Sequence, residues 1–98
     1  MRGEYGPGPE MQAALEALIG PLRDQMTERG MSHAQLAIRL RCDRSRVSRM
    51  LAGRQVPTRP LVEAAAQTLG LDTAMTRSQW QAADDIRQQA RAKQIAGH

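Results

Sequence analysis

The stretch from Gly30 to Pro57, GMSHAQLAIRLRCDRSRVSRMLAGRQVP, constrains this chain more than any other. Ser32 with Gln35 forms an S-x-x-Q capping box, the local signature of a helix N-terminus. Behind it, Leu36, Ala37 and Leu40 share one face at helical spacing. Arg41-Cys42-Asp43 breaks the pattern, and Asp43 stands where it can N-cap a second helix, Arg44 to Leu51. Val47, Met50 and Leu51 give that helix an inner face, and Gly53 ends it as a C-terminal glycine does. Ala37 is small where two steeply crossing helices approach most closely.

Two helices joined by so short a turn form a helix-turn-helix. The outer face of the second carries Arg44, Ser45, Ser48 and Arg49, with Arg46 beside them. Arginine reads guanine bidentately in the major groove, and serine serves several bases. Many Arg-rich helix faces are merely solvated, but here the charge is local. Between Arg41 and Arg59, six arginines stand against one aspartate, a net of +5 in a chain whose total is only +4.

These residues resemble the helix-turn-helix of the Xre family of phage and bacterial repressors, the Cro-type regulators. The matching pattern is Gly30-Met31-Ser32, Leu36-Ala37, Leu40, Val47-Ser48-Arg49-Met50, Gly53 and Pro57. It extends into Leu61–Leu71, which is similar to that family's fourth helix, and so covers Leu18 to Asp72. Two positions depart from it: His33 stands where many members carry a phosphate-contacting Gln, and Cys42 where a small aliphatic is usual. The resemblance implies an all-α fold, a compact lambda-repressor-like bundle of about five to six helices, with helix 44–51 in the major groove of double-stranded DNA. Carried over residue by residue, it makes Arg44, Ser45 and Arg49 the base-edge contacts. His33, Gln35, Arg46, Ser48, Arg54 and Gln55 become the backbone contacts, which position the protein without specifying sequence.

The totals agree with a small nucleic-acid binder. Ninety-eight residues, 41% of them hydrophobic, make one domain with a single modest core. With no Phe, one Trp and one Tyr, that core has to be aliphatic, which suits packed helices better than a sheet. A pI near 10.6 points to a polyanionic partner. All cations but Lys93 are arginine, a bias that a GC-rich coding sequence also produces. One Cys excludes an internal disulfide, and two His with that Cys make no zinc site of familiar spacing, so neither metal nor cofactor is expected. The N-terminus lacks a signal-peptide pattern and no apolar run is long enough to span a membrane, so a cytoplasmic bacterial or phage protein is expected.

The rest of the chain flanks the motif. Residues 1–9 form an expected disordered leader rich in Gly and Pro. A helix-turn-helix domain with an extra N-terminal helical segment is expected over 10–75. There Met11, Ala14, Leu15, Leu18, Leu22 and Met26 lie on one stripe. Gly20-Pro21 interrupts that stripe, so either Met11–Ile19 is a separate helix or one helix kinks there. The segment extends the core, or offers Met11, Leu15 and Ile19 for self-association. Cys42 reads as a packing thiol. Thr58 can cap the next helix, with Pro60 in its first turn. Residues 76–98 are expected to form a C-terminal helix for packing or dimerisation, entered through Thr76 and Gln79, its end frayed. Trp80 serves there as a core lid or a binding hot spot.

The function that follows is a sequence-specific DNA-binding transcription regulator, most simply a dimeric repressor. One module buries little surface, so useful affinity implies a homodimer on half-sites about one helical turn apart. The alternative is a helix-turn-helix adaptor, or an autoregulating antitoxin, with a protein partner. An adaptor has no need of Arg44 and Arg49 together on its outward face. An enzyme is not expected: there is no nucleophile–base set or phosphate loop, and Asp84-Asp85 are adjacent and diverge by about 100° on a helix.

Overall fold

The structure, a computed structural model, describes residues 8–96, with side chains described through residue 93. Five helices follow one another: α1 (Pro9–Arg29), α2 (His33–Leu40), α3 (Arg44–Ala52), α4 (Arg59–Thr68) and α5 (Thr73–Ala96). Among the described residues there is no strand. Of the expected leader, residues 1–7 lie outside the described residues, and Pro9 already belongs to α1. Proline fits the first helical position because its missing N–H has no intrahelical partner there.

α1 runs unbroken through Pro21, so Met11–Ile19 is not a separate helix. An internal proline costs about 3 kcal/mol. Leu15, Leu18, Ile19 and Leu22, at most 1% exposed, flank it on both sides. Each such side chain contributes roughly 1.5–3 kcal/mol on burial, so packing outweighs the lost backbone bond. The same burial corrects the self-association surface: Leu15 and Ile19 have no exposed area, and the extra segment is core. Leu15 packs with Val56 and Ala83, bordered by Met11, Ala14 and Trp80.

The main core is aliphatic. Leu18, Ile19, Leu22 and Met26 of α1 meet Leu36 and Ala37 of α2, Val47, Met50 and Leu51 of α3, and Val62, Ala65, Ala66 and Leu69 at α4. Cys42 is half-buried against this cluster, a packing thiol. Trp80 borders both clusters, and its indole N–H donates to the Pro57 carbonyl at 2.7 Å. It is a lid with an added anchoring bond.

Helix ends differ in places from the sequence pattern. α5 starts at Thr73, three residues before the expected Thr76. The Asp72 carboxylate accepts from the N–H groups of Ala74 at 2.9 Å and Met75 at 3.3 Å, so Asp72 is the cap. Thr76 is buried and its hydroxyl donates to the Asp72 carbonyl instead. Asp43 and Thr58 do occupy N-cap positions, but neither side chain makes a capping bond. Asp43 is exposed and uses its main-chain carbonyl, which accepts from Arg46 and Val47.

Two arginines of α1 tie the bundle across long sequence separations. Arg23 donates from Nε to the Leu51 carbonyl at 2.8 Å, in the last turn of α3, while Glu16 holds its Nη1 at 3.1 Å. Arg29 donates from Nη2 to the Leu69 carbonyl at 2.9 Å, at the end of α4. Each guanidinium occupies the room left by a glycine in the left-handed region. A Cβ on Gly53 (φ +67) would lie 2.9 Å from Arg23 Nη2, and one on Gly70 (φ +74) 3.0 Å from Arg29 Nη2. On the far side, Glu63 of α4 accepts from Arg77 of α5 at 2.9 Å and pairs with Arg59 at 3.3 Å. The Arg77 hydrogen bond, with the charges of Arg77 and Arg59, holds the Glu63 carboxyl below its ordinary range despite some desolvation. A depressed carboxyl stabilises the fold above its unfolded pKa, and the contribution disappears as pH falls through the folded value.

Gly53→Ala should lower the free energy of unfolding by about 1–2 kcal/mol through the left-handed backbone alone. Part of the total cost should vanish in an Arg23→Ala background, where the crowded guanidinium is gone. Urea denaturation of the four proteins of that cycle measures the coupling, and equal costs in both backgrounds would remove the proposed contact.

Candidate nucleic-acid interface

The interface is built on the ends and outer faces of α2 and α3. At the start of α2 the capping box is complete. Ser32 Oγ accepts from the Gln35 N–H at 3.1 Å, and Gln35 Oε1 accepts from the Ser32 N–H at 2.8 Å. The Gln35 side chain therefore has one fixed end, its carbonyl oxygen, and an amide NH2 that remains a donor toward solvent. α2 closes on Arg41, a non-glycine residue at φ 55, with Cys42 N–H bonded back to the Ala37 carbonyl at 3.1 Å. That left-handed residue turns the chain sharply enough for α3 to begin at Arg44.

Across the turn, Leu36 and Ala37 face Val47, Met50 and Leu51 in the core. Burying that side of α3 turns Arg44, Ser45, Arg46 and Arg49 outward, all exposed, with Ser48 half-buried between the helices. Arg44, Ser45, Ser48 and Arg49 together line one shallow surface depression. A second cleft begins at Arg46 and Arg49 and reaches Gln55 and Thr58 in the following loop. His33, exposed at the first position of α2, has Nδ1 2.9 Å from Ser48 Oγ. That bond occupies Nδ1 and leaves Nε2 as the ring nitrogen available to an outside partner. It also joins two residues that the sequence pattern could only assign separately.

Arg54 and Gln55 project from the loop between α3 and α4 and are exposed. The loop is held from behind, because Val56 is buried and Pro57 accepts the Trp80 indole bond. Nothing in the sequence pattern marked Trp80 as a support for this loop. Arg23 was likewise missed: it fixes the C-terminal end of α3 from behind, at a sequence separation that no local pattern reports.

The electrostatics separate these cations from those that the fold ion-pairs. Among the described residues, Arg23, Arg59, Arg77 and Arg87 are ion-paired, whereas Arg44, Arg46, Arg49 and Arg54 are not. Arg59, at the edge of the motif, is thus a structural surface charge. Among the described residues no group of His, Cys, Asp and Glu could hold a metal ion, and no helix is long and apolar enough to cross a membrane.

A capped short helix, a three-residue turn and a second helix with an outward, uncompensated basic face define a DNA-binding helix-turn-helix protein of the regulator class. The chain belongs to the helix-turn-helix domain family, whose model matches residues 17–79, from within α1 to within α5. No curated protein and no solved structure matches the chain.

Ser32→Ala removes the acceptor for the Gln35 N–H at the mouth of this interface. It should cost about 1 kcal/mol of stability. Thermal unfolding followed by far-UV circular dichroism tests this; an unchanged midpoint would mean that solvent replaces the cap without loss.

Proposed function

We propose that the protein is a sequence-specific regulator of transcription that binds double-stranded DNA as a homodimer, represses, and acts in the cytoplasm. The observation that carries this reading is the group of four arginines on α3 and its following loop, all exposed and none ion-paired among the described residues. Cations left uncompensated on one face of a chain with its own acids elsewhere suit phosphate and base-edge ligands. In this reading α3 lies in the major groove, with Arg44, Ser45 and Arg49 at base edges. Arg46 and Ser48 stand nearer the phosphates, and His33, Gln35, Arg54 and Gln55 set the register on the backbone. Dimerisation follows from the small surface of one module, with two copies on half-sites about one helical turn apart.

Selection of bound duplexes from a random DNA pool at near-physiological salt tests the whole reading. An enriched inverted repeat supports a specific dimeric regulator, and its spacing gives the distance between the two α3 helices. Retention without enrichment argues for a protein partner in place of a specific operator.

On the selected site, Arg44→Ala or Arg49→Ala should weaken binding by roughly 1–3 kcal/mol and relax preference at one base pair. An equal loss on unrelated DNA would count against base readout. Arg54→Ala should weaken binding to all sequences alike and reduce the slope of log K against log salt by about one unit. A slope identical to that of the parent chain would take Arg54 off the backbone.

A further inference from the structure

The positive charge of this chain lies in two stretches. The first, Arg41 to Arg59, has a net of +5; the second, Ile86 to His98, has three cations and no acid, a net of +3. Everything else holds five cations against nine acids, a net of −4. The two basic stretches are far apart in sequence, yet the fold brings them to one groove. Arg54 and Gln55 of the α3–α4 loop line it together with Ile86, Arg87 and Ala90 of α5.

That groove continues the α3 surface. Arg49 borders both the depression on α3 and the cleft that leads to Gln55. Gln55 in turn borders both that cleft and the groove shared with Arg87. Successive clefts from Arg44 to Arg87 thus share a lining residue, first Arg49 and then Gln55. Glu10, on the α1 wall of the groove, is the acid that lines it, and Asp84 is engaged by Arg87.

Beyond Ile86, which lines the groove with Met11 and Val56, α5 has no buried residue among those described through 93. Its last fully packed position is Ala83, followed by the buried Asp84, and residues 88–93 are all exposed. The helix nevertheless continues for about 14 Å past Arg87. Arg91, four residues on, repeats the direction of Arg87 one turn further out. Among the described residues Arg91 has no ion-pair partner.

We infer that the C-terminal half of α5 is a second DNA-contacting surface, which binds the phosphates flanking the site read by α3, through Arg91 beyond the Arg54–Arg87 groove. This inference rests on the DNA-binding function proposed above and extends its footprint outside the helix-turn-helix. Phosphate contacts made there add affinity and salt dependence without adding sequence preference.

The test compares the full chain with Arg91→Gln on two duplexes: the selected site alone, and the same site lengthened at both ends. The exposed position lets the variant keep the parent's helical content, which circular dichroism verifies. On the long duplex R91Q should lower the salt slope by about one unit, with an unchanged base preference and no effect on the short duplex. An unchanged slope on the long duplex overturns the inference, as does an equal loss on both lengths. If the parent chain retains neither duplex even at low salt, the DNA reading fails and this extension falls with it. Specific binding by the parent with no length-dependent effect of R91Q removes the extension alone.

Discussion

The apolar stripe of α1, from Leu15 to Met26, is the surface against which α5 and α3 pack, and the core cluster it belongs to extends to α2 and α4. Without Phe, and with Trp80 only bordering the clusters, the core is filled by aliphatic side chains and alanine, over which the helices approach closely. Ala37, Ala65, Ala66 and Ala83 are all buried where neighbouring helices meet. α1 then adds direction to this packing. Apolar contacts alone let one helix slide along another, whereas a guanidinium donating to one particular carbonyl fixes the end of a helix in three dimensions. Arg23 does this for α3 and Arg29 for α4, so the helix that carries the basic face is held by its far end from the opposite side of the molecule. The free end of α3, with Arg44 and Ser45, is left exposed.

Local chemistry was legible in the sequence, and tertiary choices were not. The Ser32–Gln35 box, the end of α3 at Gly53 and the inner face Val47–Met50–Leu51 are decided within one or two turns of chain, and the structure has them as read. The fold class followed because those local elements match a motif whose two helices cross steeply within a limited range of angles. Pro21 shows where such reasoning stops: whether a proline ends a helix depends on how much apolar surface its neighbours bury, and that is settled by α5 and the core. The start of α5 is a similar case. Asp72 and Thr76 are both good caps by type, and burial of Thr76 against the core selected Asp72. The outward position of Arg44, Ser45 and Arg49 was readable from helical spacing. The pairing of His33 with Ser48, across fifteen residues, was not.

Charge and packing are divided between different faces of the same short helices. Two of the four ion-paired arginines tie elements together, Arg23 by its bond across to α3 and Arg77 across to α4, while Arg59 and Arg87 pair within their own helices. Those on α3 and the loop after it make no such ties, and therefore add self-repulsion with no compensating contact within the described residues. A fold keeps such a face only at some expense in stability, and the deep burial of Val47 and Leu51 on the reverse of α3 offsets it. The sites that hold the molecule together and the sites that meet a ligand can then vary separately.

Trp80 has a consequence of another kind. It is the single tryptophan of the chain, and its indole N–H is bonded to the carbonyl of Pro57, two residues beyond Gln55 in the loop next to α3. Indole emission depends on what its N–H touches and how much water surrounds the ring. Arg54 and Gln55 belong to the same short loop that holds that bond. The molecule thus carries a single native optical probe bonded to the loop that adjoins its basic face, with no label needed on protein or ligand.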